Sequence, residues 1–122
     1  MDLIDLVSRG WALRLLREAR AELRLAEEEP RLAAVFALEA AKKAQACIYY
    51  CFGNPDALEM LVLDLIAEGD RPRDKVAELL LVLEGLVGAV SEAEDPHEAY
   101  RLAESAVRLA SHVVQKVLGE RA

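Results

Sequence analysis

The residues best suited to chemistry lie near the end of the chain. Arg108 and His112 are four positions apart, and Arg101 and Ser105 fall on the same side of a helix, so four polar groups line one face. An imidazole beside two guanidiniums can bind a phosphate. It can also act as general base toward a ribose 2′-hydroxyl while arginine stabilises the developing negative charge, which is the chemistry of a metal-independent RNase. Arg108 and His112 are the candidate catalytic pair in that case, with Arg101 and Ser105 as ligand-binding residues. The plainer reading of the same four residues is the solvated side of an amphipathic helix.

Other constellations favour structural roles. Arg14, Arg17, Arg20 and Arg24 recur at three- and four-residue intervals, but Glu18, Glu22 and Glu27 are interleaved and suit surface ion pairs better than a phosphate grip. Cys47 and Cys51 share a helix face without a third ligand nearby, so buried thiols are expected and no metal is assigned. Tyr49, Tyr50 and Phe52 could stack on a base, yet such residues more often plug the end of a core. His97 reads as an exposed first-turn residue. No glycine-rich phosphate loop, Gly-x-Ser-x-Gly elbow or His-Glu-x-x-His motif occurs, which disfavours mainstream nucleotide hydrolases, serine hydrolases and zinc proteases. No cofactor is expected.

The elements that must position these residues are all helical. Alanine and leucine number 21 each, the β-branched residues are scattered among them, and no alternating stretch is bounded by a hairpin turn. Glu29-Pro30, Asn54-Pro55 and Asp95-Pro96 each place proline where a helix begins, and Glu98 adds a reciprocal capping pattern to Asp95. Asp70-Arg71-Pro72 supplies a fourth start. Five helices are expected: Leu3 to Glu27, Pro30 to Phe52, Pro55 to Glu68, Pro72 to Val90 and Pro96 to Leu118. Short connections make them an up-and-down bundle of four to five antiparallel helices in a single domain, 1–122. The last helix carries one apolar stripe from Ala99 to Val117 and packs on one side. The second is apolar almost all round and belongs at the centre.

Charge and hydrophobicity bound the partners. The chain of 122 residues has 15 basic and 22 acidic side chains, a net charge of −7, which disfavours a general polyphosphate surface; no DNA is expected, and RNA or a nucleotide could be met only locally. Uninterrupted apolar runs such as Leu32 to Leu38 reach seven residues, far below a membrane span of roughly 18. The opening MDLIDLVSRGW lacks a basic region, and two cysteines do not form a disulfide framework, so a cytoplasmic location is expected. Leu58 to Ala67 and Val76 to Val90 carry more apolar surface than one small bundle hides. A homodimer is therefore expected, with Leu79 to Val90 in its interface, where Gly85 and Gly88 permit close helix approach.

The stretch Ala12-Leu13-Arg14-Leu15-Leu16-Arg17-Glu18-Ala19, the Glu-Pro break, and the alanine-rich run from Arg31 through Glu39-Ala40-Ala41-Lys42-Lys43 to Ala46 resemble the HEPN domain, as does a last helix from Glu98 to Val117. The resemblance implies a dimerising bundle of four or five helices, in prokaryotes often encoded beside a minimal nucleotidyltransferase or acting as a ribonuclease toxin of a toxin-antitoxin pair. Catalytic members carry arginine and histidine separated by four to six residues, whereas three separate Arg108 from His112. One residue of spacing turns a side chain by about 100° on a helix. The departure favours a non-catalytic HEPN-like module that binds a partner, such as a minimal nucleotidyltransferase, or a nucleotide-like ligand. The alternative is a metal-independent endoribonuclease acting through Arg108 and His112 at a dimer interface.

Overall fold

Three of the helices bury a heptad of small side chains, and that pattern organises the molecule. In the computed structural model, which describes residues 3–119 apart from 70, 72 and 73, α1 (Leu3–Glu28) runs back along α2 (Ala33–Phe52) through a turn of tighter helix at Pro30–Leu32. The buried residues of α1 are Ala12, Leu16, Ala19, Leu23 and Ala26, spaced four and three in alternation. Those of α2 include Ala33, Ala37, Ala40, Ala44 and Cys47, with the same spacing. In α5 (Pro96–Val113) the set includes Ala99, Ala103, Ala106, Ala110 and Val113, with Val107 buried beside it. A 3.5-residue period keeps one seam facing a neighbouring helix over its whole length. Methyl groups at most of these positions let the backbones come close.

These three helices form the core, with α2 in the middle. It packs most extensively on α1 and then on α5, and it also meets α3 (Pro55–Glu68) and α4 (Lys75–Glu92). The described residues contain no strand, and the buried apolar side chains other than Ala26, Ala33 and Ala77 form one continuous cluster. The expected bundle of helices and the central place of the second one are therefore found. A wider helical turn at Val114–Leu118 extends α5 to the expected end.

The caps explain where the helices begin. The Asn54 carboxamide oxygen accepts from the backbone N–H groups of Asp56 (2.9 Å) and Ala57 (3.3 Å), and the Asp95 carboxylate accepts from that of His97 (3.1 Å). Both proline starts are as expected, although Glu98 makes no side-chain bond back to Asp95. Two boundaries differ from expectation. The helix after Gly69 begins at Lys75, because the Asp74 carboxylate caps the Ala77 N–H at 2.7 Å from an extended backbone; the expected start at Pro72 lies outside the described residues. The regular part of α2 starts at Ala33, since Pro30 opens a tighter turn first. Gly69 closes α3 in the left-handed conformation, φ +67°, a position that side chains resist and glycine accepts.

α3 is bound differently from the rest. Of its 14 residues only Val62 is fully buried, and it packs chiefly on α2 and α4, each lightly.

Candidate functional site

On α5 the helical period does bring Arg101, Ser105, Arg108 and His112 onto one face, and all four are exposed. The Arg108 guanidinium reaches Glu104 at 3.3 Å, and the Ser105 hydroxyl donates to the Arg101 carbonyl at 3.1 Å. Arginine and serine are thus occupied by their own helix. None of the four lines any of three hollows of about 770, 280 and 260 Å³ among the described residues. Open to water, the face lacks the low-dielectric surroundings in which fixed donors stabilise a transition state strongly.

The inward edge of that face serves to tie α5 to α1. Tyr100 donates from its hydroxyl to the Glu27 carboxylate, and this bond, with some burial, pushes the phenol up to about 12. Three turns further along α5, Arg20 donates to the Ser111 hydroxyl at 3.1 Å. Lys43 on α2 meets Glu22 on α1 at 2.9 Å, which raises the ammonium above its ordinary value. The arginines of α1 divide as their alternation with acids suggests. Arg14 lies 5.2 Å over the Trp11 ring and 3.7 Å from Glu18, and Arg17 and Arg24 face solvent.

The remaining sequence candidates are structural in their settings. Cys47 is buried and Cys51 half-buried; the hydrogen bond between the two thiols, with burial, pushes Cys47 up, and the same bond lowers Cys51. No group of three metal-ligating side chains occurs among the described residues. Tyr50 stacks on Trp11 with ring centroids 6.1 Å apart, and Tyr49 is buried. His97 is exposed in the first turn of α5.

Two hollows draw on residues that no local motif could unite. One, of about 770 Å³, lies where the start of α1, the end of α2, the start of α3 and the last turn converge, lined by Ser8, Arg9, Cys51, Phe52, Asn54 and Leu118 among others. Arg9 donates to the Leu118 carbonyl there at 2.8 Å. The other, of about 280 Å³, lies between α2, α3 and α4 and is lined by Lys42, Gln45, Tyr49, Glu59, Leu63 and Glu84, with Ala46, Pro55 and Val62 at its base. Gln45 bridges its polar side, donating its amide to Glu84 and to the Tyr49 hydroxyl. Burial and the Glu84 charge hold the Tyr49 phenol above its ordinary value.

An exposed apolar surface adjoins this second hollow. Met60, Leu61, Leu63 and Ile66 on α3 and Val76 and Val82 on α4 are each between 39% and 59% exposed. Single exposed apolar residues are ordinary, but this many on two touching helices are not. The apolar composition of both segments pointed to this surface; which residues it leaves uncovered depended on the packing.

No family model matches the chain, and no curated protein or solved structure matches it.

Proposed function

We propose that this chain is a non-catalytic, HEPN-like association module that works as a homodimer through the outer side of α4. The observation that carries the reading is the uncovered apolar surface of α3 and α4. Val82, Gly85 and Gly88 are all exposed on α4, and open space lies above both glycines, which lets a second backbone approach. Leu80, Leu83 and Val90 of the expected interface segment are spent in the core of the subunit itself, so the dimer contact narrows to the outward residues. The resemblance to HEPN proteins adds a minimal nucleotidyltransferase partner or a nucleotide-like ligand; a net charge of −7 favours the protein partner. No described helix is long and apolar enough to cross a membrane.

Sedimentation equilibrium tests the reading. The protein should be dimeric at micromolar concentration, and Val82→Glu combined with Gly85→Glu should make it monomeric without loss of helicity. A monomeric native chain refutes the dimer. The endoribonuclease alternative requires Arg108 to leave Glu104 and join His112 against a second subunit. RNA cleavage without added metal, abolished in His112→Ala, would replace the non-catalytic reading.

A further inference from the structure

Helix α3 is uncovered, and it is also charged with a single sign. Asp56, Glu59, Asp64 and Glu68 are all exposed, the helix bears no cation, and none of the four joins an ion pair among the described residues. With Val62 turned inward, 100° per residue places Met60 almost directly outward and Leu63 on one shoulder, with Ala67 between them. Glu59 then flanks this apolar row on one side, and Asp64 and Glu68 on the other. The small hollow between α2, α3 and α4 opens on the Glu59 side. It sets the carboxylates of Glu59 and Glu84 around a space of about 280 Å³, with the ammonium of Lys42 as the one cation at its rim.

A second copy is a poor occupant for this face, because α3 against α3 would bring four carboxylates onto four. Lipid headgroups of anionic membranes and nucleic-acid phosphates are repelled in the same way. We infer that the outward face of α3 and the adjoining Glu59–Glu84 hollow form a docking site for an amphipathic helix of another protein, one with an apolar stripe flanked by lysine or arginine. The apolar stripe lies on Met60, Leu63 and Ala67, the flanking cations meet Asp64 and Glu68, and one basic side chain enters the hollow. This is the helix-in-groove mode of recognition, with apolar contact supplying affinity and charge supplying selectivity.

The inference rests on the chain being an association module, yet it is separable from the homodimer. The probe is a fluorescein-labelled 18-residue peptide of leucine and lysine at helical spacing, compared with the same peptide carrying glutamate for lysine. Anisotropy should show binding of the lysine peptide, weakening steeply with salt, and none of the glutamate peptide. Met60→Ser with Leu63→Ser should weaken binding about tenfold or more, since these are the central contacts. Glu59→Gln should weaken it and flatten the salt dependence, whereas Arg17→Ala on α1 should leave it unchanged. All these positions are exposed, and circular dichroism checks that the variants fold. Equal binding of the two peptides, or undiminished binding to the Met60→Ser, Leu63→Ser variant, overturns the site. A dimer that fails to bind the lysine peptide defeats this inference alone; a monomer that binds it defeats only the homodimer.

Discussion

Replacing Ala40 by leucine tests whether the seam between α1, α2 and α5 is packed to its limit. Ala40 is fully buried near the middle of α2 and lines none of the three hollows of about 770, 280 and 260 Å³. If there were room, three added carbons would stabilise the fold by roughly 2 kcal/mol through burial alone, and leucine matches alanine closely as a helix former. With no room, the side chain must push helices apart or leave its rotamer, at a cost of about 1 to 3 kcal/mol. We expect the second outcome, a loss in thermal midpoint of about 4 °C per kcal/mol for a chain of this size. Ala40→Gly should also destabilise, by about 2 kcal/mol, from lost helix propensity and one lost buried carbon. Ala34→Leu, exposed on the same helix, should shift stability by no more than about 0.5 kcal/mol. Urea unfolding at fixed protein concentration measures all three. A midpoint for Ala40→Leu at or above wild type, with unchanged slope, would refute close packing of the seam.

Two further outcomes follow from the caps and from the tie between α1 and α5. Asp74→Ala should cost about 1 kcal/mol by leaving the Ala77 N–H uncapped; unchanged stability in urea unfolding would contradict the observed start of α4. Tyr100 should ionise near pH 12 in a spectrophotometric titration, because its hydroxyl donates a hydrogen bond to the Glu27 carboxylate, which favours the protonated phenol. Since the folded value lies above the unfolded value near 10, the stabilisation is complete below pH 10 and is lost between about 10 and 12. Tyr100→Phe should remove that alkaline loss.

Periodicity along the chain made much of this protein legible in advance. Helix type, the central role of α2, the proline starts at Asn54 and Asp95 and the shared face of Arg101, Ser105, Arg108 and His112 all follow from local spacing, which a helix converts directly into direction. The pairing of Arg108 with Glu104 was equally local, four residues apart, and is readable from the same rule. The cap of α4 was not legible, because only the extended backbone at Asp74 decides that its carboxylate meets the Ala77 N–H. The tertiary structure alone decided which apolar residues are covered. In α5 the polar and apolar sides are distinct, so the sequence orients the helix; in α3 leucine, isoleucine, valine and methionine occupy nearly every side, and orientation comes from contact with α2 and α4. That contact spends Val62 and leaves Met60 and Leu63 outside, beside carboxylates that distant segments bring together. Burial is a property of neighbours, and for a helix apolar on most of its circumference those neighbours cannot be read from its own residues.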